Sequence, residues 1–430
     1  MELHCPAILS ERATVNSGLS LKRLLRVSVA AGAAGALALG GLTACSSDDN
    51  SSDSAGNPAG KTTELPSNPA TGDPIKIGFI ASEGGAVQLP MLRTSGEAAA
   101  RYLNENGGGI GGHKVELVVC KQSEEPASAT KCANELVEKK VAAVVAPLSS
   151  QGAVMLPIIT GAKIPYIAQA PVSRAEFATP GAYMLSGGTI AVLAGQAKTA
   201  AQSGIKKFTV LIGDSGDAAT SVKAMATPIF QQAGVELKVV VVPVASADPT
   251  PEITAGLADK PGAVTVLGDT RMCVSAMKVL QSVAPDVKKY LIASCLDKPV
   301  WEAIGGHDKL IGAKAFTTVN LTSDDPSVTL YRSIMAKYAP DDDPQGLGYL
   351  GYQVVMSLGE IGKDIKGVTA ADLRTALTTA TDVPLPAAPG LTFTCNGKAM
   401  PMLPPLCSNS IIVSDVAADG KFENSTVIKN

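Results

Sequence analysis

AARYLNENGGGIGGHKVELVV, residues 99–119, runs from a helix-like stretch through a glycine-rich turn into a β-branched apolar run. Gly107, Gly109 and Gly112 within it satisfy G-x-G-x-x-G, the spacing that cradles a dinucleotide pyrophosphate. That chemistry requires the glycines to follow a strand and open a helix, so that the phosphate meets the helix N-terminus. Here the order is reversed: the glycines follow the helix and precede the strand. They read as a helix C-cap and turn, where a positive φ costs glycine nothing. What the stretch offers is one helix-turn-strand unit.

Working outward, the unit repeats. IKIGFI (75–80), VELVV (115–119), AAVVA (142–146) and PYIAQ (165–169) are strand-like. Helical stretches at 91–104, 128–138 and 151–160 separate them. Strand and helix in alternation predict a parallel sheet with helices on both faces, and apolar strand runs fit strands covered on both sides. After a helix near 190–203 the plan recurs with FTVLI (208–212), VELKVVVV (235–242), AVTVL (263–267) and YLIAS (290–294). Helices are expected between them at 217–232, 251–258 and 271–283. Two successive ladders predict two α/β lobes of domain size, each a doubly wound parallel sheet. Three late helices, 326–338, 346–365 and 370–380, precede LTFTC (391–395), a turn at Asn396-Gly397, and strands at 410–414 and 421–427.

The N-terminus reads as a targeting segment. Lys22, Arg23 and Arg26 precede an uncharged run, 27–44, rich in Ala and Gly. It lies at the lower edge of the roughly 18 residues a membrane span needs, and its composition suits a cleaved signal peptide better. Leu42-Thr43-Ala44-Cys45 resembles a bacterial lipobox, in which the cysteine is lipidated and becomes the first mature residue. Residues 1–44 are therefore expected as signal peptide and 45–73, rich in Ser, Asp, Asn, Pro and Gly, as a lipid-anchored flexible tether.

A net charge of −3 without a basic cluster argues against nucleic-acid binding. The six cysteines after Cys45 fall into sequence-near pairs, Cys120 with Cys132, Cys273 with Cys295 and Cys395 with Cys407. Disulfides are the preferred reading outside the cytoplasm, although six cysteines allow other connectivities. His113 and His307 are the only histidines beyond the leader and no CxxC pair is present, so neither a metal nor a cofactor is expected.

The sequence contains no G-x-S-x-G elbow, P-loop or HExxH, and no acid pair stands out among its 39 acidic residues. Binding features are better represented. In open parallel sheets ligands sit beyond the carboxyl ends of the strands. Those ends supply Ser82 to Gln88, Pro147 to Gln151 with Ser149 and Ser150, and Ala168 to Ser173 with Ala170. Hydroxyls and free N–H groups where a helix begins suit a carboxylate, although serine there equally suits helix capping. The second ladder supplies Asp214, Asp269 and Asp297, which jointly could receive an ammonium group or several hydroxyls, and singly read as caps.

Taken in order, IKIGFIASEGG, the opening stretch, APLSSQGAVMLPIITGAKIPYIAQAP, LGYLGYQVVMSLGEIG and LRTALTTATDVPLPAAPGLTFTCNGKAM resemble the type I periplasmic substrate-binding proteins, specifically the branched-chain amino-acid-binding group of ABC importers. The resemblance covers about residues 75–427. It implies two lobes joined by a three-strand hinge, crossing near Ser186–Thr189, Val319–Thr322 and Pro389–Leu391. Lobe 1 would comprise 74–188 with 320–390, and lobe 2 would comprise 189–319 with 391–430. It further implies a lipoprotein that binds a small-molecule ligand, works with an ABC permease, touches the membrane only through its anchor, acts as a monomer and performs no catalysis. A sensory ligand-binding domain and an anchored hydrolase are the rival classes. Ser149 matches the family serine that helps hold an amino acid's carboxylate, and Ala170 to Ser173 match the loop contacting the ligand's polar head.

Three departures bear on the ligand. Leu89 stands where the family often has Tyr, and Ala218 stands where an aromatic is expected. The acid that grips an α-ammonium falls near Cys295 or Leu296, with Asp297 beside it. A buried ammonium without a charged partner is strongly disfavoured. Either Asp297, Asp269 or Asp214 replaces that acid, or the ligand is an amide, a urea-like solute or a small carboxylate instead.

Overall fold

The computed structural model describes residues 60–214, 218–243 and 248–430. The signal peptide, Cys45 and the first part of the tether lie outside the described residues. The first ladder is β1 (Gly72–Ser82), α1 (Pro90–Glu105), β2 (His113–Gln122), α2 (Pro126–Glu138), β3 (Ala143–Val145), α3 (Gly152–Gly161), β4 (Tyr166–Ala168) and β5 (Ala182–Met184). Its five strands run parallel in the order β2-β1-β3-β4-β5. Ile75, Ile77, Phe79 and Ile80 of β1 are almost wholly buried, since helices cover both faces. Each contributes roughly 1.5–3 kcal/mol of burial. At the opening turn, Gly109 has φ 72° and a Cβ there would sit 2.0 Å from the His113 carbonyl, which is why glycine stands there.

The second ladder is α4 (Gly188–Gln202), β6 (Lys207–Gly213), α5 (Ala218–Gln232), β7 (Glu236–Val242), α6 (Thr250–Leu257), β8 (Ala263–Leu267), α7 (Thr270–Val283), β9 (Lys288–Leu291), α8 (Lys298–Ala303) and β10 (Lys314–Thr317). The chain then returns to pack α9 (Pro326–Tyr338) and α10 (Tyr349–Ile361) against α1, and α11 (Ala370–Thr379) follows. The helix α10 approaches α1 so closely that a Cβ on Gly351 would lie 1.8 Å from the Leu92 carbonyl. A two-stranded antiparallel ribbon follows, β11 (Val383–Pro384) with β12 (Thr392–Phe393). Finally β13 (Ile411–Val416) and β14 (Phe422–Ile428) join the second sheet antiparallel, giving the order β14-β13-β10-β9-β8-β6-β7. The molecule is thus mixed α/β with two lobes.

The structure departs from the sequence reading in two places, one of them at the hinge. The third crossing was expected at Pro389–Leu391, with everything beyond it in lobe 2. Instead Leu391, Phe393, Cys395 and Leu406 pack into the cores of lobe 1, and Met184 of β5 pairs with the 405–407 segment. The crossing falls just after Cys407, at residues 408–410, because a cysteine-closed excursion returns to the edge of β5 before the chain changes lobe. The tether was expected to be flexible through Asp73, yet residues 60–71 lie against lobe 1. Arg332 Nε donates to the Lys61 carbonyl (2.9 Å), Thr63 N to Ser333 Oγ (2.6 Å) and Gly108 N to the Asn68 carbonyl (2.7 Å). Buried Arg332 and Ser333 of α9, with the Gly108 amide at the α1 turn, therefore dock a segment that composition alone marks as loose.

Candidate functional site

The carboxyl ends of β1, β2 and β3 converge on one side chain, Glu124, which the sequence reading passed over. Glu124 has φ 57°, a left-handed conformation costing a non-glycine residue about 1–2 kcal/mol. That conformation turns its carboxylate back over the sheet edge. Ser82 Oγ donates to Oε1 at 2.6 Å, and Ser150 donates to Oε2 through both N (2.9 Å) and Oγ (2.6 Å). Gln122 Nε2 donates to Oε1 as well, while its Oε1 accepts from Glu124 N (2.7 Å). Gln151 Nε2 holds the Glu124 carbonyl at 3.0 Å. A hydrogen bond to a charged group is worth about 1.5–3 kcal/mol, so this set more than offsets the backbone strain. Burial pushes the Glu124 carboxyl up, and the hydrogen bonds from Ser150, Ser82 and Ser149 together outweigh it, leaving the group below its ordinary value.

Ser149, Ser150 and Gln151 thus come together at the start of α3, as expected, but around an internal carboxylate. Ser149 is buried, with its Oγ accepting from Gln151 N (3.1 Å) and Gln122 Nε2 (3.2 Å). Gln88 lies apart from them, exposed, donating to the Gly85 carbonyl of its own loop.

The loop after β4 has a second internal carboxylate. Glu176, 1% exposed, accepts from Val172 N (2.8 Å), Ser173 N (2.7 Å), Ser173 Oγ (3.1 Å) and the Tyr166 hydroxyl (2.8 Å). Ser173 is therefore committed to a capping box at the start of a 3₁₀ turn. Ala170, half-buried, lies one turn of chain before it.

On lobe 2, Asp269 caps α7 by accepting from Met272 N (2.9 Å), and its Oδ2 pairs with Arg271 (3.0 Å). The Met272 amide, with Arg271, holds its carboxyl below the usual range despite partial burial. Asp297 Oδ2 accepts from Thr270 Oγ1 at 2.6 Å, which brings Asp269 and Asp297 onto one rim. Asp214 follows β6, exposed, and among the described residues no hydrogen bond joins its carboxylate to either of the other two.

Between the lobes, Gln169 Nε2 donates to Thr318 Oγ1 (3.3 Å), linking the end of β4 to the end of β10. Tyr349, at the start of α10, lies close enough to Thr318 and Asp297 for both to act on its phenol. Burial raises the Tyr349 phenol, Thr318 opposes this, and the Asp297 charge raises it further. Tyr349 places an aromatic side chain beside the crossing, where the first loop carries only Leu89. Two concavities of about 250 and 220 Å³ lie elsewhere, one lined by α1 and residues 338–342 and the other by α7 and Lys289.

Sγ atoms of the three expected cysteine pairs approach to 1.96 Å (Cys120–Cys132), 2.03 Å (Cys273–Cys295) and 2.08 Å (Cys395–Cys407). Among the described residues no helix is long and apolar enough to cross a membrane.

Residues 74–403 match the periplasmic binding protein family, and the chain belongs to it as a type I member. Proteins of this kind bind small molecules for ABC permeases and are extracytoplasmic. The fold is shared with an ABC transporter substrate-binding protein from Sphaerobacter thermophilus, at TM-score 0.67 and 19% identity over 83% of this chain and 98% of that one. A solute-binding protein from R. palustris in complex with 4-hydroxybenzoate gives 0.64 and 19%, over 83% and 98%. A branched-chain amino-acid transporter substrate-binding protein from Streptococcus pneumoniae in complex with isoleucine gives 0.62 and 17%, over 83% and 99%. No curated protein matches the chain.

Proposed function

We propose that the chain is an extracytoplasmic solute-binding lipoprotein of an ABC importer, capturing one small polar solute between its lobes and presenting it to a permease. The observation that carries this reading is the convergence of Ser82, Gln122, Ser149 and Ser150 at the carboxyl edge of lobe 1, facing a fold hinged at three crossings. Affinity arises from convergent hydrogen bonds in a cleft that loses water as the lobes close. Ser149, Ser150, Gln151, Ala170 and Ser173 form the lobe-1 wall, and Asp269 and Asp297 form the lobe-2 rim, with Tyr349 at the hinge. The solute leaves the cleft unchanged. Cys45 carries the lipid, the three cysteine pairs are oxidised outside the membrane, and the protein works as a monomer.

Unfolding the purified mature protein and weighing the released small molecules tests the reading. An intact polar solute in about equimolar amount is expected. Release of a cleaved product, or of nothing after growth on varied nutrients, would overturn it.

A further inference from the structure

The donors at the start of α3 are the groups that would meet a ligand's anion, and in this chain they are already taken. Ser150 N, Ser150 Oγ and Ser82 Oγ all point at the two oxygens of Glu124. The groups that hold this carboxylate in its ionised form are neutral hydroxyls and an amide, so its charge is not cancelled by a cation. A second carboxylate brought to the same donors would meet like charge at hydrogen-bonding range, where two carboxylates do not both remain ionised. The neighbouring loop repeats the arrangement, for Ser173 N and Oγ are held by Glu176.

We propose that Glu124 is a specificity-determining residue: it fills the lobe-1 anion site from within, so that the cleft rejects carboxylates and accepts solutes presenting N–H donors, neutral or cationic, to lobe 1. This rests on the solute-binding reading and narrows its ligand class. The four lone-pair sites of the Glu124 carboxylate already accept from Ser82, Gln122 and Ser150, so an amide, urea-like or amidinium N–H group would replace one of those donors at the uncancelled negative charge, whereas a ligand carboxylate is repelled by it. The left-handed backbone at Glu124 then has a role, because it aims the side chain at Ser82 and Ser150 instead of letting it run on toward α2.

Acetate, the smallest carboxylate probe, tests the inference on the full mature chain by following the Ser150 amide resonance during titration. The wild type is expected to show no saturable shift. Glu124→Gly, which suits the left-handed backbone, is expected to bind acetate at least about tenfold more tightly, the gain of one charge-assisted contact set. Equal acetate binding by both proteins, or no acetate binding by the variant, would overturn the inference. Should the glycine variant not fold, Glu124→Ala is read by the same criteria. The two readings fail separately. If no native solute is recovered, the importer function falls while the acetate result stands. If the native solute carries a carboxylate bound to Ser150, this inference falls and solute binding stands.

Discussion

Replacing Glu176 by alanine probes how firmly loop 170–173, proposed to face the solute, is built. The carboxylate is 1% exposed and receives four hydrogen bonds, from Val172 N, Ser173 N, Ser173 Oγ and the Tyr166 hydroxyl. In Glu176→Ala the Tyr166 hydroxyl is stranded, because Tyr166 is 0% exposed and water cannot reach it. One stranded buried donor costs about 1–3 kcal/mol. The half-exposed loop amides regain water and cost less, and the one lost methylene adds about 0.8 kcal/mol. Relief from burying a charge offsets part of this. The net expectation is a loss of about 2 kcal/mol. Glu176→Gln keeps the volume and one carbonyl for the loop amides, and the Tyr166 hydroxyl can turn to accept from the new amide. Its expected cost is about 1 kcal/mol. Urea unfolding checks both, read as a shift in midpoint at constant slope. A loss below about 1 kcal/mol in the alanine variant, or equal damage from both substitutions, would refute the reasoning.

Other outcomes follow from the same geometry. Ser149→Ala removes the acceptor of Gln151 N and Gln122 Nε2, so it should cost about 1 kcal/mol of stability and weaken binding of the native solute without unfolding the protein; calorimetry with that solute decides. Burial pushes the Glu83 carboxyl up, but hydrogen bonds from Arg93 and Lys121 hold it below its ordinary value. A folded value below the unfolded one adds stability that is fully present above about pH 4.3 and is lost as pH falls through the folded value. Glu83→Gln should therefore flatten the acid limb of a stability-against-pH curve, and an unchanged limb would count against the pairing. Under denaturing, non-reducing conditions no thiol among Cys120, Cys132, Cys273, Cys295, Cys395 and Cys407 should label; a labelled one contradicts oxidation of its pair.

Much of the fold could be read from the chain because buried parallel strands are continuous apolar runs, and those runs fall on β1 to β4 and β6 to β9. The elements missed include β5, β10, β11 and α8, which are too short to show a period, and the strands among them pair with neighbours that no local pattern reports. The displaced third crossing has the same origin: nothing local in residues 391–407 reports that they pair with β5. At the site, Ser149 to Gln151 were legible as polar residues opening a helix after a strand. Glu124 was not, although the acid pair Glu124-Glu125 stands at the end of the second strand. Sequence pattern singles out the ends of the first, third and fourth strands, and only the left-handed backbone reveals where Glu124 points. Tyr349 lies far in sequence from the other edge residues, and reaches the hinge only because α10 returns to lobe 1.

Small-angle scattering during titration with the solute recovered from the protein tests the central claim most directly. Capture between hinged lobes predicts a saturable fall in radius of gyration at one solute per chain. Tight binding with an unchanged radius would contradict closure of the lobes around the solute.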